Sequence, residues 1–305
     1  MISPRIVSVF GATGFQGGSI VDALLKDGTF VPRGISRDPE SEASKQLRAR
    51  GVEVVKGDPL DKAGLVSALR GSEAVFAVTV PIFFRADAEK GEIVQGKNIV
   101  DAAREAGVKF FIWSSLPDIS KMSGGKYKNV VHYDEKEVVR EYLAASGLTH
   151  ASLLLPAFLE NFWIRNSLHK TEKGYNITVP NFKATDLQAF AWISRDVPAA
   201  ILALLKNYTD PAKKINGQLY PVVNANISYP ELAEMTAKAL GVEVTFIPAK
   251  PSGVVARDEM FAAQAEYGGL YTATPVPNPD LIALGMKFST VEEFLETEVK
   301  PRFGQ

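Results

Sequence analysis

The sequence predicts an α/β fold, a Rossmann-type doubly wound parallel sheet with a smaller, interleaved C-terminal lobe. Three observations predict it. Six short apolar or β-branched runs alternate with helical segments in the first half of the chain. The first run leads through closely spaced glycines into a helix, and beyond Pro156 the alternation breaks down. Strands that alternate with helices specify a parallel sheet with right-handed crossovers.

The individual elements follow from periodicity and from the residues that end them, such as Gly28, Gly107 and Gly147 after helices. The predicted strands of the first half span 5–10, 30–36, 51–56, 74–80, 108–115 and 148–155, and the later helices of that half span 42–50, 62–69, 88–106 and 130–146. Further helices are predicted at 196–207, 229–240 and 291–300, and further strands at 217–223 and 242–247. We therefore assign residues 1–156, with later elements from about 186–223, to the Rossmann domain, and residues 157–185 and 224–305 to the smaller lobe.

Composition excludes several classes of function. The 305 residues carry a net charge of −1, from 34 basic and 35 acidic residues, which argues against a nucleic-acid or anionic-membrane surface. The absence of cysteine excludes disulfides, thiolate metal sites and a cysteine nucleophile. The three histidines lack metal-ligand spacing, so no metal site is predicted. Because neither a signal peptide nor a membrane-length apolar run is apparent, we expect a cytoplasmic protein.

The glycine-rich turn between the first strand and the first helix predicts a dinucleotide site. Its glycines are Gly11, Gly14 and Gly17. One glycine permits a tight turn, one lets the backbone approach a diphosphate, and one lets the helix pack closely on the strand. The free N–H groups of the first helical turn then face the anion. A glycine triplet alone is weak evidence, but its place between a strand and a helix makes the prediction specific.

The end of the second strand indicates which dinucleotide is bound. An NAD site places a carboxylate there, whereas this chain has Ser36 and Arg37. A guanidinium suits a 2′-phosphate by charge and by its paired donors, so NADP(H) is favoured. Two alternatives stay open: Asp38 turns inward, or Arg37 is an ordinary surface arginine. Asp58, after the third strand, is either an adenine contact or a helix cap.

The catalytic pair of ordinary short-chain dehydrogenases is incomplete in this chain. Those enzymes need a tyrosine four residues before a lysine, where the ammonium lowers the pKa of the phenol. None of the nine tyrosines has a lysine at that spacing. On the helix after the fifth strand, His132 and Lys136 hold the spacing, and Tyr133 is one residue out of register. Lys136 is expected to bind the nicotinamide ribose; His132 is either a proton donor or a positional residue that the ammonium keeps neutral.

Further candidates stand at the ends of the fifth and sixth strands. Ser114 and Ser115 are either catalytic contributors or a polar pair at a strand end. Pro156, Phe158 and Asn161 follow the sixth strand, where the nicotinamide end of a cofactor is expected. An aromatic group either walls a substrate pocket or belongs to the core. Its members are Pro81, Ile82, Phe83, Phe84 and Trp163.

Taken together, these motifs resemble the NmrA-like branch of the atypical short-chain dehydrogenases, in particular its NADPH-sensing redox-sensor proteins. The matching stretches are Gly11–Ser19, Ser36–Pro39, Gly57-Asp58, Val78-Thr79, Gln95–Lys97, Ser114–Leu116, the pair His132 and Lys136, and Leu155-Pro156 with Phe158 and Glu160-Asn161. The resemblance implies NADP(H) contacts from Gly11, Thr13, Gly14, Phe15, Gln16, Gly17, Arg37, Asp58, Thr79, Lys136, Pro156, Phe158 and Asn161. It also implies a protein partner, bound through the C-terminal lobe according to the NADPH/NADP ratio, and the nucleus as a second location.

The chain departs from the sensor pattern at Val80, where a polar residue is usual, and at Ser115, where glycine is usual. The first hypothesis is an NADP(H)-binding redox sensor with weak or no turnover. The alternative is an NADPH-dependent reductase of a small carbonyl, quinone or phenolic compound that uses Lys136, His132 and Ser115. An interaction module that has lost the cofactor is a third, more distant reading. The oligomeric state stays open, with a homodimer as one alternative.

Overall fold

The computed structural model describes residues 4–80 and 91–304. In chain order the strands are β1 (Ile6–Phe10), β2 (Val31–Ser36), β3 (Glu53–Lys56), β4 (Ser72–Ala77), β5 (Phe110–Ser115), β6 (His150–Leu154), β7 (Ala157–Phe158), β8 (Leu168–Lys170), β9 (Gly174–Pro180), β10 (Leu187–Ala191), β11 (Gln218–Pro221), β12 (Ala225–Ser228) and β13 (Glu243–Ala249). The helices are α1 (Phe15–Asp27), α2 (Glu42–Ala49), α3 (Lys62–Leu69), α4 (Glu92–Glu105), α5 (Ile119–Met122), α6 (Val131–Ala144), α7 (Asn161–Ile164), α8 (Ile193–Asn207), α9 (Tyr229–Leu240), α10 (Val255–Glu266), α11 (Pro279–Ala283), α12 (Val291–Phe294) and α13 (Lys300–Phe303).

A seven-stranded sheet has the order β11-β6-β5-β4-β1-β2-β3. Strands β1 to β6 pair in parallel with their neighbours, which confirms the predicted doubly wound fold. The strand order reverses at β1, which lies between β2 and β4. In such sheets the carboxyl ends of the strands beside this switch point form the binding crevice.

The sheet forms because its central strands are apolar on both faces. Every residue of β5 is buried, and α3, α4 and α6 contribute leucine, isoleucine, valine and alanine side chains to the same core. Helices α4 and α6 pack closely because residue 96 has no side chain: a Cβ built on Gly96 would lie 2.4 Å from Val139 Cγ2. Burial on both faces is typical of parallel strands and explains their continuous apolar runs.

Two three-stranded sheets occur later in the chain, with the orders β12-β10-β7 and β13-β9-β8. In each, one pair is parallel and one antiparallel. Their core is rich in aromatic residues, with Phe162, Trp192 and Phe294 in contact and Tyr229 stacked on Phe246. The prolines and aromatic residues after Pro156 therefore belong to small, mixed sheets rather than to βαβ units.

Contacts group the chain into two compact units. One contains the described residues of Met1–Asp118, His132–Leu154 and Val197–Tyr220, and the other contains those of Ile119–Val131, Leu155–Asp196 and Pro221–Gln305. The seven-stranded sheet lies in the first unit apart from Pro221, and both three-stranded sheets lie in the second. The domain boundaries near residues 156, 186 and 223 stay a prediction.

Some element boundaries differ from the sequence predictions. Strand β4 ends at Ala77 rather than at residue 80, and α8 begins three residues before Asp196, whose carboxylate accepts from Trp192 N at 3.1 Å. The terminal helix predicted for 291–300 is divided: a π-helical segment, Leu295–Val299, separates α12 from α13. The start of the predicted 88–106 helix lies outside the described residues, and α4 is observed from Glu92.

Candidate functional site

The glycine turn after β1 has the geometry that a close backbone approach requires. Gly11 has a φ of +67°, and Gly14 N–H donates to Gly11 O at 2.8 Å. A Cβ on Gly17 would lie 2.2 Å from the same oxygen, so only glycine lets α1 approach the turn this closely. Helix α1 has no side-chain cap and no acidic residue in its first turn, which leaves its terminal N–H groups available to an anion.

Arg37 and Asp38 follow β2, the strand that pairs in parallel with β1. The Asp38 carboxylate accepts from Glu40 N at 2.9 Å, and the Asp38 carbonyl accepts from the Ser44 hydroxyl at 2.8 Å. Arg37 is exposed, and its guanidinium makes no hydrogen bond or ion pair with any described residue. One oxygen of the Asp38 carboxylate is therefore engaged in its own turn, whereas the Arg37 guanidinium has no partner among the described residues.

Asp58 holds the turn after β3. Its Oδ1 accepts from Leu60 N at 2.9 Å, whereas the cap of α3 is Asp61, which accepts from Gly64 N at 3.0 Å. The helix cap weighed as an alternative role for Asp58 thus belongs to Asp61. A Cβ on Gly57 would lie 2.5 Å from Ile35 Cγ2, which explains the glycine before Asp58.

Lys136 is buried, with 6% of the residue exposed, and its ammonium donates three hydrogen bonds. It donates to Thr79 O at 3.0 Å, to Thr79 Oγ1 at 3.2 Å, and to Glu92 Oε2. The Thr79 hydroxyl in turn donates to Glu92 Oε2. An ammonium has three donors, so these three acceptors saturate it. Sequence reasoning missed Glu92, because it lies 44 residues before Lys136 and resembles an ordinary first-turn glutamate.

The other titratable groups beside Lys136 are Glu135 and His132, both on α6. Glu135 Oε2 accepts from Glu92 N at 3.2 Å, and burial raises the pKa of Glu135. Burial, with the Lys136 ammonium as a second cause, lowers the pKa of His132 to about 4. Burial also lowers the pKa of Lys136, against the opposing effect of Glu92 and, more weakly, of Glu135. His132 is therefore neutral at pH 7, as its spacing from Lys136 predicts, although burial is the larger cause.

The serines at the end of β5 have separate partners. The Ser114 hydroxyl donates to Gln16 Oε1 at 3.2 Å, which links the β5 end to the first turn of α1. Ser115 is fully buried, and its hydroxyl lies 3.5 Å from the carbonyl oxygens of Leu116 and Lys136. Ser115 thus faces the backbone of Lys136 rather than its ammonium.

The remaining predicted residues are divided between the two compact units, and some lie outside the described residues. Pro156 is buried; Phe158, half-buried, ends β7; and Asn161 begins α7. Trp163 stacks on Phe294 with ring centroids 5.6 Å apart, so it belongs to the aromatic core of that unit. The pocket-wall prediction for residues 81–84 lies outside the described residues. Thr13, Gly14 and Phe15 are exposed in the first unit, at the glycine turn.

The described residues contain neither a metal-binding cluster nor a membrane-spanning helix. Across residues 4–80 and 91–304, no three His, Asp or Glu side chains are grouped so that they can hold a metal ion. In the same ranges, no helix has the length and apolarity needed to cross a membrane.

Comparisons with known proteins place the chain among NmrA-like sequences. A model of the NmrA-like family matches residues 4–295. The NmrA-like family domain-containing oxidoreductase notA of Aspergillus sp. (strain MF297-2) is 33% identical over 264 residues, which cover 80% of this chain and 76% of that protein. The NmrA-like family domain-containing oxidoreductase FrzB of Cladobotryum sp is 30% identical over 312 residues, 93% of this chain and 91% of that protein.

Solved structures share the fold at lower identity. NmrA, a negative transcriptional regulator solved in complex with NADP, has a TM-score of 0.79 at 19% identity and covers 99% of this chain and 97% of its own. The NADPH-dependent quinone oxidoreductase QOR2 of Escherichia coli, solved with NADPH, has a TM-score of 0.71 at 22% identity, with 95% and 98% covered. The dinucleotides bound to those proteins are of the class that the glycine turn predicts here.

Proposed function

The chain belongs to the NmrA-like family, and on that premise we propose that it binds NADP(H) and acts as an NADPH-dependent oxidoreductase on a small carbonyl, quinone or phenolic compound. Cofactor binding is supported by this chain's own residues. Turnover is supported in addition by relatives that are named oxidoreductases.

The glycine turn fits the diphosphate of the cofactor. The position of residue 17 excludes a side chain, and the turn at Gly11 and Gly14 exposes backbone next to the start of α1. The first turn of α1 brings no carboxylate that would repel an anion. Gln16 is oriented by the Ser114 hydroxyl, so the turn is tied to the end of β5.

The single observation that carries the NADP(H) assignment is the guanidinium of Arg37, just after β2, which has no partner in the described part of the chain. The second strand of such a fold ends beside the adenosine ribose, where its last residues distinguish a 2′-hydroxyl from a 2′-phosphate. Arg37 brings a positive charge with free donors, while the Asp38 carboxylate is engaged by Glu40 N. The pair therefore favours a phosphate over a hydroxyl.

When bound, NADPH supplies a hydride to a carbon atom of the substrate. Of the residues expected to act, Lys136 carries its protons on a buried ammonium fixed by Thr79 and Glu92. His132 is neutral at pH 7 because its pKa is lowered to about 4, and the Ser115 hydroxyl faces backbone carbonyls. We therefore assign the proton that accompanies reduction to Lys136 and a positional role to His132.

A redox sensor with weak or no turnover is the second candidate. The observation that favours it is the state of Lys136, whose three protons are already held by Thr79 and Glu92. The chain also lacks a tyrosine four residues before a lysine. In this candidate the three bonds of Lys136 persist when the cofactor is bound, so no proton is delivered to a substrate. The protein then reports the NADPH/NADP ratio through a protein partner, for which the C-terminal lobe is the proposed surface.

The cofactor assignment is tested by titrating NADPH and NADH into wild-type, Arg37→Ala and Arg70→Ala proteins by calorimetry. Arg70 is a matched control because it is also exposed but precedes β4, and so lies at the amino ends of the parallel strands rather than at their carboxyl ends. Loss of a charge-assisted contact costs about 1.5–3 kcal/mol, so Arg37→Ala should weaken NADPH binding about 10- to 150-fold and leave NADH binding unchanged. Equal weakening of both cofactors in Arg37→Ala would refute the role of Arg37.

Turnover is tested by incubating the protein with NADPH and a panel of quinones, aldehydes and phenolic compounds. Consumption of NADPH that depends on one of these compounds and is lost in Lys136→Met supports the oxidoreductase. Binding of NADPH without consumption across the panel supports the sensor. Failure of the wild-type protein to bind either dinucleotide contradicts both candidates.

A further inference from the structure

Glu92 and Lys136 form a buried ion pair that the resemblance to known sequences does not assign. Glu92 is 1% exposed and Lys136 is 6% exposed. The pair joins the first turn of α4 to the middle of α6, and it closes a triangle with Thr79, two residues beyond the end of β4. An exposed ion pair contributes little to stability, so its removal costs little. Removal of one partner from a buried pair, by contrast, leaves an uncompensated buried charge.

The hydrogen bonds of Glu92 are distributed unevenly between its two carboxylate oxygens. Oε2 accepts from both Lys136 Nζ and the Thr79 hydroxyl, while Oε1 is buried and has no partner among the described residues. The backbone N–H of Glu92 is fixed separately by Glu135. Helix capping therefore does not explain the direction of the Glu92 side chain, which points to the ammonium.

We propose that Glu92 is a positioning residue for Lys136: its carboxylate holds the ammonium, protonated, against the Thr79 carbonyl and hydroxyl at the carboxyl end of β4. The role of Lys136 at this place rests on the proposed function, in which Lys136 supplies the proton that accompanies reduction by NADPH. The pairing itself rests only on the contacts of Glu92, Thr79 and Lys136.

Charge explains why the position needs a carboxylate. Burial disfavours the charged form of Lys136, and the titratable groups that face it are Glu92 from α4 and Glu135 and His132 from α6. Glu92 has the larger opposing effect, Glu135 has a smaller one, and His132 is uncharged at pH 7. Removal of the Glu92 charge therefore shifts the loss of the Lys136 proton to lower pH.

The test compares Glu92→Gln with Glu137→Gln in the full chain. Glu137 is the matched control because it is the next residue of α6 after Lys136 and pairs with Arg140 instead. In the cofactor-free proteins, carbon-13 NMR follows the titration of the Lys136 side chain, assigned from its loss in Lys136→Arg. In parallel, NADPH affinity is measured from about pH 6 to pH 10, across the range in which a buried lysine titrates.

In Glu92→Gln we expect the Lys136 titration to move to lower pH by about one pH unit or more, because a neighbouring opposite charge is lost. The pH above which NADPH affinity falls should move down with it. Glu137→Gln should change neither result. An unchanged Lys136 titration in folded Glu92→Gln protein would overturn the pairing. A shifted titration in Glu92→Gln, together with a wild-type protein that binds no NADPH, would support the pairing and overturn the proposed function.

Glu92→Asp provides a second variant if Glu92→Gln does not fold. It keeps the charge and withdraws the carboxylate by one methylene, so the Lys136 titration should move in the same direction by a smaller amount. A folded Glu92→Asp protein in which Lys136 titrates as in the wild type would overturn the proposal.

Discussion

Gly17→Ala tests the glycine turn at atomic scale. The added Cβ would lie 2.2 Å from Gly11 O, 2.4 Å from Gly11 C and 2.8 Å from Ala12 N, and all three are backbone atoms. To bring the first contact to 3.0 Å, below which real Cβ atoms essentially never lie, α1 and the turn must separate by at least 0.8 Å. Such a displacement moves the N–H groups of the first helical turn relative to the phosphates they are proposed to bind.

Gly18→Ala is the matched control. It is the next residue of α1, and its added Cβ would lie 3.5 Å from Ala12 O, an ordinary contact. Alanine stabilises a helix relative to glycine by about 0.5–1 kcal/mol. Because both variants gain this stabilisation, it cancels when their unfolding free energies are compared. The remaining difference is the steric cost at residue 17, for which overpacking predicts about 1–3 kcal/mol.

The assays are urea unfolding and calorimetric titration with NADPH. Gly18→Ala should unfold at a slightly higher urea concentration than the wild type and bind NADPH normally. Relative to that control, Gly17→Ala should lose about 1–3 kcal/mol of unfolding free energy, and it should bind NADPH at least about tenfold more weakly. Equal stability and equal affinity in the two variants would refute the close approach of α1 to the turn.

Two further predictions concern buried polar groups. Because the pKa of His132 is lowered to about 4, the unfolded chain binds more protons between about pH 6.5 and 4, and the unfolding free energy falls as pH falls through that window. His132→Asn should reduce this fall by about 1–2 kcal/mol, which is less than the full shift because the side chain is partly exposed. Urea unfolding at pH 4.5 and pH 7 measures the fall. An identical fall in both proteins argues against a half-buried, neutral histidine. The buried Asp196 carboxylate accepts hydrogen bonds from Trp192 N, from Ser289 N and from the Ser289 hydroxyl. Asp196→Ala should therefore cost about 2–3 kcal/mol of unfolding free energy. A loss near zero would contradict that bonding.

The parallel sheet was predictable because its signals are local. Buried runs such as β1 and β5, and helix ends such as Gly28 with a φ of +72°, need only neighbouring residues to form. Of the two small sheets, only the strand predicted at 242–247, which is observed as β13, was identified. The pair β8 and β9 is local but short, and the other pairs join strands that are distant in sequence. The two residues of β7 pair with Phe190 and Ala191, more than 30 residues later, and carry no strand pattern of their own.

In the candidate site, too, the residues with local sequence signals were predicted and those that depend on distant contacts were not. The glycine turn, Arg37 and Lys136 were identified from spacing along one strand–turn–helix unit or one helix. Glu92 was not, because its role depends on the packing of α4 against α6, and a glutamate after Gly91 has the sequence pattern of a favourable first-turn charge. The engagement of Asp38 by Glu40 N, which leaves Arg37 as the available group, also required the folded turn.

The measurement that tests the central claim most directly is the ratio of the dissociation constants of NADH and NADPH for the wild-type protein at moderate salt. An available Arg37 beside a diphosphate-binding turn predicts that NADPH binds more tightly by at least about tenfold, the value of one charge-assisted contact. That preference should fall as salt rises, because the contact is partly exposed. Equal affinities, or tighter binding of NADH, would contradict the assignment of this site to NADP(H).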